Sequence, residues 1–250
     1  MSVQAFTIGL AAPQPLKLGG AALFLDLDGT LAPIAARPQD VAADPRRSRL
    51  LETLETGLDG RLAVISGRTL ADVDRILEGR VPCVAAVHGL VRRGGDGAVQ
   101  EAAAHPGLAA AAARLKGFAA RDPGLIVEEK GLSVALHFRL APAHAAEARA
   151  LAHRIAGETG LTVQDGDMVE ELRTPGPTKG DSVRAFMGAA PFQGARPIFV
   201  GDDSTDEHGF EEARRLGGFG VLVGPPRATH AAFRLPGVED VIAWLEGAAR

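Results

Sequence analysis

The stretch Leu23-Phe24-Leu25-Asp26-Leu27-Asp28-Gly29-Thr30 limits what this chain can fold into more than any other. Leucine and phenylalanine dominate a short apolar run, set off by Gly19-Gly20 before it and Gly29 after it. Such a run reads as a strand buried on both faces, the usual state in a parallel sheet. Two carboxylates interrupt it, and the spacing of Asp26 and Asp28 projects both from the same side of an extended chain. Like charges this close in an apolar setting are costly unless a positive charge stands beside them. Turn chemistry accounts for Asp28-Gly29 but leaves Asp26 unexplained, because an acid among leucines makes no turn. The pair therefore reads as a functional site at the end of a strand.

The rest of the chain supplies the sheet. A helix is expected from Pro45 to Thr56, with apolar positions Leu50, Leu51, Leu54 and Leu58 three and four apart. Arg61–Ile65 reads as a second buried strand, Thr69 as a helix cap, and Val84–Val87 as a third strand. Strand, helix, strand, helix, strand is the grammar of an α/β, doubly wound parallel sheet. From about Gly107 the grammar changes to helix, hairpin, helix, hairpin, an α+β unit with antiparallel pairing. The first grammar resumes at Thr178, with strands at Pro197–Val200 and Gly220–Val223 and a last helix carrying Trp244 on an apolar face. With 250 residues the chain has room for two domains. The expected division is a loose tail over 1–20, a core of 21–104 and 175–250, and an inserted unit of 105–174.

Composition excludes several classes. The net charge of -4 and the lack of a basic stripe give nucleic acid no electrostatic footprint. Cys83 is the single cysteine, so no internal disulfide forms, in keeping with a reducing compartment. Seven histidines show no paired metal spacing, and a zinc site is not expected. No signal peptide is read at the start and no apolar run approaches the ~20 residues of a membrane span, so a cytoplasmic protein is expected.

Three further motifs follow expected strands, where open parallel sheets bind ligands. Ser66-Gly67 offers a hydroxyl and exposed amides to a phosphate oxygen. Lys179 is one of only four lysines and stands in the first turn of a helix, the wrong end for a cation unless an anion is bound there. Gly201-Asp202-Asp203-Ser204-Thr205-Asp206-Glu207 directly follows a strand. Converging carboxylates without nitrogen or sulfur ligands favour a hard cation, Mg²⁺ above others. The roles then follow. Asp26 attacks phosphorus to form an aspartyl-phosphate, and Asp28 gives a proton to the departing oxygen and later takes one from water. Asp26, the Asp28 backbone carbonyl and Asp202 hold Mg²⁺, while Ser66, Gly67 and Lys179 hold the phosphoryl oxygens. Thr30, Asp203 and Asp206 position these groups.

DLDGT, SGR, the Lys179 motif and GDDSTDE resemble, in order, the four motifs of haloacid dehalogenase (HAD) superfamily phosphatases. More narrowly the chain is similar to the trehalose-6-phosphate phosphatases from about Leu23 to Leu245, through LAVISGR, AAVHG, EEKGLSVALHFR, VEELR, TKG, GDDSTDEHGF and RLGG. The resemblance implies a Rossmann-like core, a mobile inserted cap, and hydrolysis of trehalose 6-phosphate at the last step of trehalose biosynthesis. It also implies that Glu128, Lys130 and Glu171 of the cap bind the sugar, with Arg68 and His88 near the site; acid and amine groups suit sugar hydroxyls. His137 and Arg139 fit a structural place in the cap equally well. The expected partner is the sugar phosphate, taken by a monomer, with a trehalose-6-phosphate synthase as the candidate protein partner. Thr174-Pro175 departs from the family, which usually has proline at the first of these positions. The alternatives are a HAD phosphatase for another sugar phosphate, such as sucrose-6-phosphate, and a silent partner of a synthase. The latter needs no acid-base pair, yet Asp26 and Asp28 are both present.

Overall fold

The structure is a computed structural model, and it describes residues 9–248. In chain order the first elements are β1 (Ala21–Leu25), α1 (Pro45–Gly57), β2 (Leu62–Ile65), α2 (Leu70–Leu77), β3 (Cys83–Ala86), β4 (Val91–Arg93) and β5 (Val99–Glu101). Then come α3 (Leu108–Ala119), β6 (Ile126–Glu129), β7 (Ser133–His137), α4 (Ala145–Thr159), β8 (Thr162–Gly166) and β9 (Val169–Arg173). The last are α5 (Lys179–Met187), β10 (Arg196–Gly201), α6 (Glu207–Arg215), β11 (Phe219–Val223), β12 (Phe233–Leu235) and α7 (Val238–Ala248). The chain divides into two compact units, one of the residues up to Gln100 together with those from Pro177, the other Glu101–Gly176.

The first unit holds a sheet of order β12-β11-β10-β1-β2-β3-β4-β5, parallel from β12 to β3. β1 to β3 are buried along their whole length, as strands covered on both faces must be. Phe24 stacks on Phe192 at 5.5 Å between ring centres, and Phe186 lies 5.4 Å from Phe192. Helix starts are written locally. Asp44 accepts from the amides of Arg46 (2.7 Å) and Arg47 (3.1 Å) ahead of Pro45, and Thr69 accepts from Asp72 at 3.1 Å. Thr178 and Asp181 form a reciprocal capping box that fixes the first turn of α5.

The second unit is a four-stranded antiparallel sheet of order β6-β7-β9-β8. Val134, Leu136 and Leu172 pack against Leu115 of α3 and Leu151 and Ile155 of α4. Register decides which residues share a face. Glu128, Ala135, Glu171 and Gln164 form one row across the sheet, opposite to the helices; Val127, Leu136, Glu170 and Asp165 form the adjoining row on the helix side.

The structure departs from the sequence expectation in two respects. β4, β5 and β12 have three residues each, and arginine or glutamate in every one hides any apolar signal. The loose tail over 1–20 is corrected within the described residues. Leu16 is buried, the Ala11 carbonyl accepts from Arg234 N at 3.0 Å, and the Gln14 carbonyl accepts from Trp244 Nε1 at 2.9 Å. Apolar burial and these bonds hold the segment to the sheet and α7; residues 1–8 lie outside the described part. Trp244 is half-buried on α7 beside the buried Val241, Ile242 and Leu245. Cys83 is buried in β3, and burial pushes its thiol up to about 11.

Thr174 has a physical reason to differ from proline. Its amide donates to the Leu132 carbonyl at 2.9 Å, a bond proline cannot make, and its hydroxyl accepts from the His105 amide at 3.1 Å. The two chain ends of the second unit are thereby tied together. Thr174→Val keeps the shape but leaves the His105 amide unpaired, and is expected to lower stability by about 1 kcal/mol, read from urea unfolding. Thr174→Ser should retain most of it. Equal stability in the valine variant and the parent chain would remove the clasp.

Candidate active site

β1 lies between β2 and β10, at the point where the strand order turns back. Open parallel sheets form a crevice at the carboxyl ends of the strands there. Asp26 leaves β1 into it, held by its amide, which donates to the Val200 carbonyl of β10 at 2.9 Å. Asp202 follows β10 directly. Lys179, at the start of α5, reaches in to donate to Asp26 Oδ1 at 2.8 Å and Asp206 Oδ1 at 2.7 Å. All three side chains are at most 6% exposed. The anions that compensate a lysine at this helix end are thus two carboxylates of the protein.

Charge is tightly balanced here. Burial pushes the Asp26 carboxyl well up; the Lys179 ammonium opposes that, and the Asp206 and Asp202 carboxylates add to it. Burial also disfavours the Lys179 charge, yet Asp206 and Asp26 more than offset it and raise the ammonium above its ordinary range. Asp202 is raised to about 7, by burial first and Asp206 second. One oxygen from each of Asp26, Asp202 and Asp206 lies within 4.8 Å of the others. Asp206 has both oxygens in use, since Oδ2 accepts from the Asp203 amide at 2.9 Å. Asp202 Oδ1 and the Thr30 hydroxyl are buried with no hydrogen-bond partner. An orphaned carboxylate oxygen beside two more carboxylates is a fit for a hard divalent cation. Gly29 makes the approach feasible: at φ +79°, a Cβ there would stand 2.1 Å from Asp202 Oδ2.

A second group lines the turns after β2 and β3. Arg68 grips Asp28 with its fork, Nε to Oδ2 at 2.6 Å and Nη2 to Oδ1 at 2.7 Å, and also donates to the Pro38 carbonyl at 2.9 Å. The Arg68 amide donates to Ser66 Oγ at 3.2 Å. The His88 amide donates to the Ser66 carbonyl and the Val87 amide to the Arg68 carbonyl, both at 2.9 Å. Val87 and His88 take left-handed backbone, φ 47° and 56°, costly for a β-branched residue and held by these bonds. The His88 ring lies against Gly67, where a Cβ would meet Nε2 at 2.5 Å.

The remaining sequence-predicted residues lie together on the helix-free face of the second unit. Lys130 Nζ pairs with Glu171 Oε2 at 2.7 Å and lies 3.9 Å from Glu128 Oε2, which His137 Nε2 meets at 2.8 Å. Burial raises the Glu128 carboxyl, but the His137 hydrogen bond and the Lys130 charge outweigh it and hold the group low. His137 belongs to this cluster; the register of β6 on β7 is the signal that assigns it. Arg139 reaches Asp167 instead, at 2.9 Å. Sequence reasoning missed Arg227, which donates to the Asp203 carbonyl at 2.9 Å and pairs with Glu207, steadying the acidic loop. Nothing near Arg227 in sequence points to that loop.

Comparisons with known proteins identify the family. The family described as trehalose-phosphatase matches residues 24–238. The trehalose-6-phosphate phosphatase of Escherichia coli (strain K12) is 40% identical over 227 residues, covering 90% of this chain and 85% of that protein. A crystal structure of a trehalose-6-phosphate phosphatase related protein superposes with a TM-score of 0.75 at 27% identity, covering 91% of this chain and 96% of the other. A phosphatase of the HAD enzyme superfamily from Bacteroides thetaiotaomicron shares the fold, with a TM-score of 0.61 at 16% identity over 92% of this chain and 99% of the other. On the family match and the Escherichia coli relative together, the chain belongs to the trehalose-phosphatase family.

Proposed function

We propose that this chain is a Mg²⁺-dependent phosphatase that hydrolyses trehalose 6-phosphate to trehalose and phosphate, the last step of trehalose biosynthesis. The observation that carries the reading is the buried Asp26–Lys179–Asp206 chain at the sheet's turning point, with Asp202 Oδ1 unpartnered beside it. Lys179 bonds Asp26 Oδ1, so Oδ2 is the oxygen we assign to attack phosphorus, giving an aspartyl-phosphate. Ser66, Gly67 and Lys179 then steady the phosphoryl oxygens. Asp28 donates a proton to the departing sugar oxygen and afterwards takes one from the hydrolytic water. While Arg68 grips both of its oxygens, Asp28 is an acceptor; exchange of Arg68 onto the substrate frees it to carry the proton.

Asp26, Asp202 and the Asp28 carbonyl would hold Mg²⁺, which neutralises phosphate charge. Thr30, Asp203 and Asp206 keep these groups in place. The inserted unit acts as the cap, and its Glu128, Lys130 and Glu171 read the sugar, with His88 and Arg68 on the core side. The reading takes every reacting group from one chain and requires neither a second copy nor a synthase. Among the described residues no helix is long and apolar enough to cross a membrane. The buried single thiol supports our placing the enzyme in the cytoplasm.

Phosphate release should be fastest from trehalose 6-phosphate when it is compared with sucrose 6-phosphate and glucose 6-phosphate, and chelator should abolish it. Equal, weak release from all three would remove the sugar-reading role of the cap. Asp26→Asn is expected to lower kcat about a thousandfold or more; near-parental turnover would exclude the covalent route. The raised carboxyl of Asp202 gives a pH dependence with a definite sign. Without metal its native form holds a proton between the usual 3.8 and about 7, so its contribution to stability falls as pH rises through that window. A cation must displace that proton. The rise in melting temperature caused by Mg²⁺ should therefore grow between about pH 5 and about pH 8, and a rise independent of pH would contradict the assignment of Asp202.

A further inference from the structure

A second group of ligating side chains lies within the inserted unit, on the sheet face opposite to Glu128, Lys130 and Glu171. Glu170 of β9 faces Asp165 of β8 directly across the strands, and both are on the helix side. His153 of α4 closes the group, with Nε2 3.6 Å from Asp165 Oδ1. One ligand atom from each of His153, Asp165 and Glu170 falls within 4.8 Å of the other two. Like charges directly opposite each other on neighbouring strands destabilise a sheet unless a cation joins them.

Glu170 is the telling member. Its side chain is 0% exposed, and Arg149 Nε donates only to Oε1, at 3.2 Å. Oε2 is buried with no hydrogen-bond partner. A buried carboxylate oxygen without a donor forfeits its hydration and gains nothing in return. We propose that His153 Nε2, Asp165 and Glu170 Oε2 form a divalent metal site that clamps α4 to the edge strand β8.

The donor set defines the metal class. One imidazole and two carboxylates suit borderline first-row ions, Zn²⁺ foremost, whereas all-oxygen carboxylate groups suit Mg²⁺. Bonds of about 2.0–2.1 Å in a tetrahedron place ligand atoms about 3.3 Å apart. The His153–Asp165 separation of 3.6 Å is already near that spacing. Three protein ligands leave the fourth position for water, and His153 and Asp165 are more than half exposed, so the ion has an entry path. The site is independent of the phosphatase reading. The sequence held no paired histidine spacing because the three ligands come from three elements brought together by the hairpin.

The test is calorimetric titration of the full chain with Zn²⁺ alone, in buffer with enough Mg²⁺ to fill the carboxylates after β1. One equivalent should bind and raise the melting temperature. His153→Ala, an exposed position that leaves the sheet intact, and Glu170→Gln should each weaken binding at least about tenfold and remove that rise. Co²⁺ in place of Zn²⁺ should give d–d absorption that His153→Ala changes and Asp202→Asn does not. Absence of binding by the parent chain would overturn the proposal. So would binding that survives both cap variants, or binding lost only in Asp202→Asn.

Discussion

One ammonium group holds the carboxyl end of this sheet together. Lys179 is buried between Asp26 and Asp206, and the three come from separate parts of the chain: the start of α5, the end of β1 and the turn that leads into α6. Without a cation at that point, burial and mutual repulsion would force protons onto the acids, and the strand ends would lose their common anchor. The alignment of β1 with β10, the capping box at Thr178 and the grip of Arg227 on the acidic loop all serve to keep that ammonium and its carboxylates at hydrogen-bond distance.

Charge is shared unequally around this centre. Lys179 bonds directly to both Asp26 and Asp206 and offsets one of their two charges, whereas Asp202 has an oxygen with no partner at all. Arg68 and Asp28 form a separate neutral couple on the turn after β2. The site thus keeps one strong acceptor unspent while its neighbouring carboxylates are hydrogen-bonded, an arrangement suited to a cation that spares the resting protein several unpartnered anions.

Much of this was legible in the sequence because the decisive residues are local anomalies. An acid inside an apolar strand and a lysine at the wrong end of a helix are visible without any knowledge of the fold, and both belong to the centre. The α/β grammar was equally readable, since β1, β2 and β3 are unbroken apolar runs. What the sequence hid were relations set by register or by distance along the chain. Asp28 and Arg68 are 40 positions apart, and only the stacking of turns after neighbouring strands brings them together. Glu170 looked like any acid of a hairpin until its pairing with Asp165 fixed the face it occupies. Strands of three residues bearing arginines, such as β4 and β12, lack enough apolar positions to show a period.

The burial of Cys83 in the third strand has a consequence for the chain's surroundings. A thiol reacts through its thiolate, and this one is both enclosed and raised to about 11, so near neutral pH almost none is in the reactive form. Because it is the chain's only cysteine, the folded protein has no disulfide to lose and no exposed sulfhydryl to oxidise or alkylate. Shifts in the surrounding thiol balance therefore pass this fold by, and its thiol chemistry begins only when the parallel sheet opens.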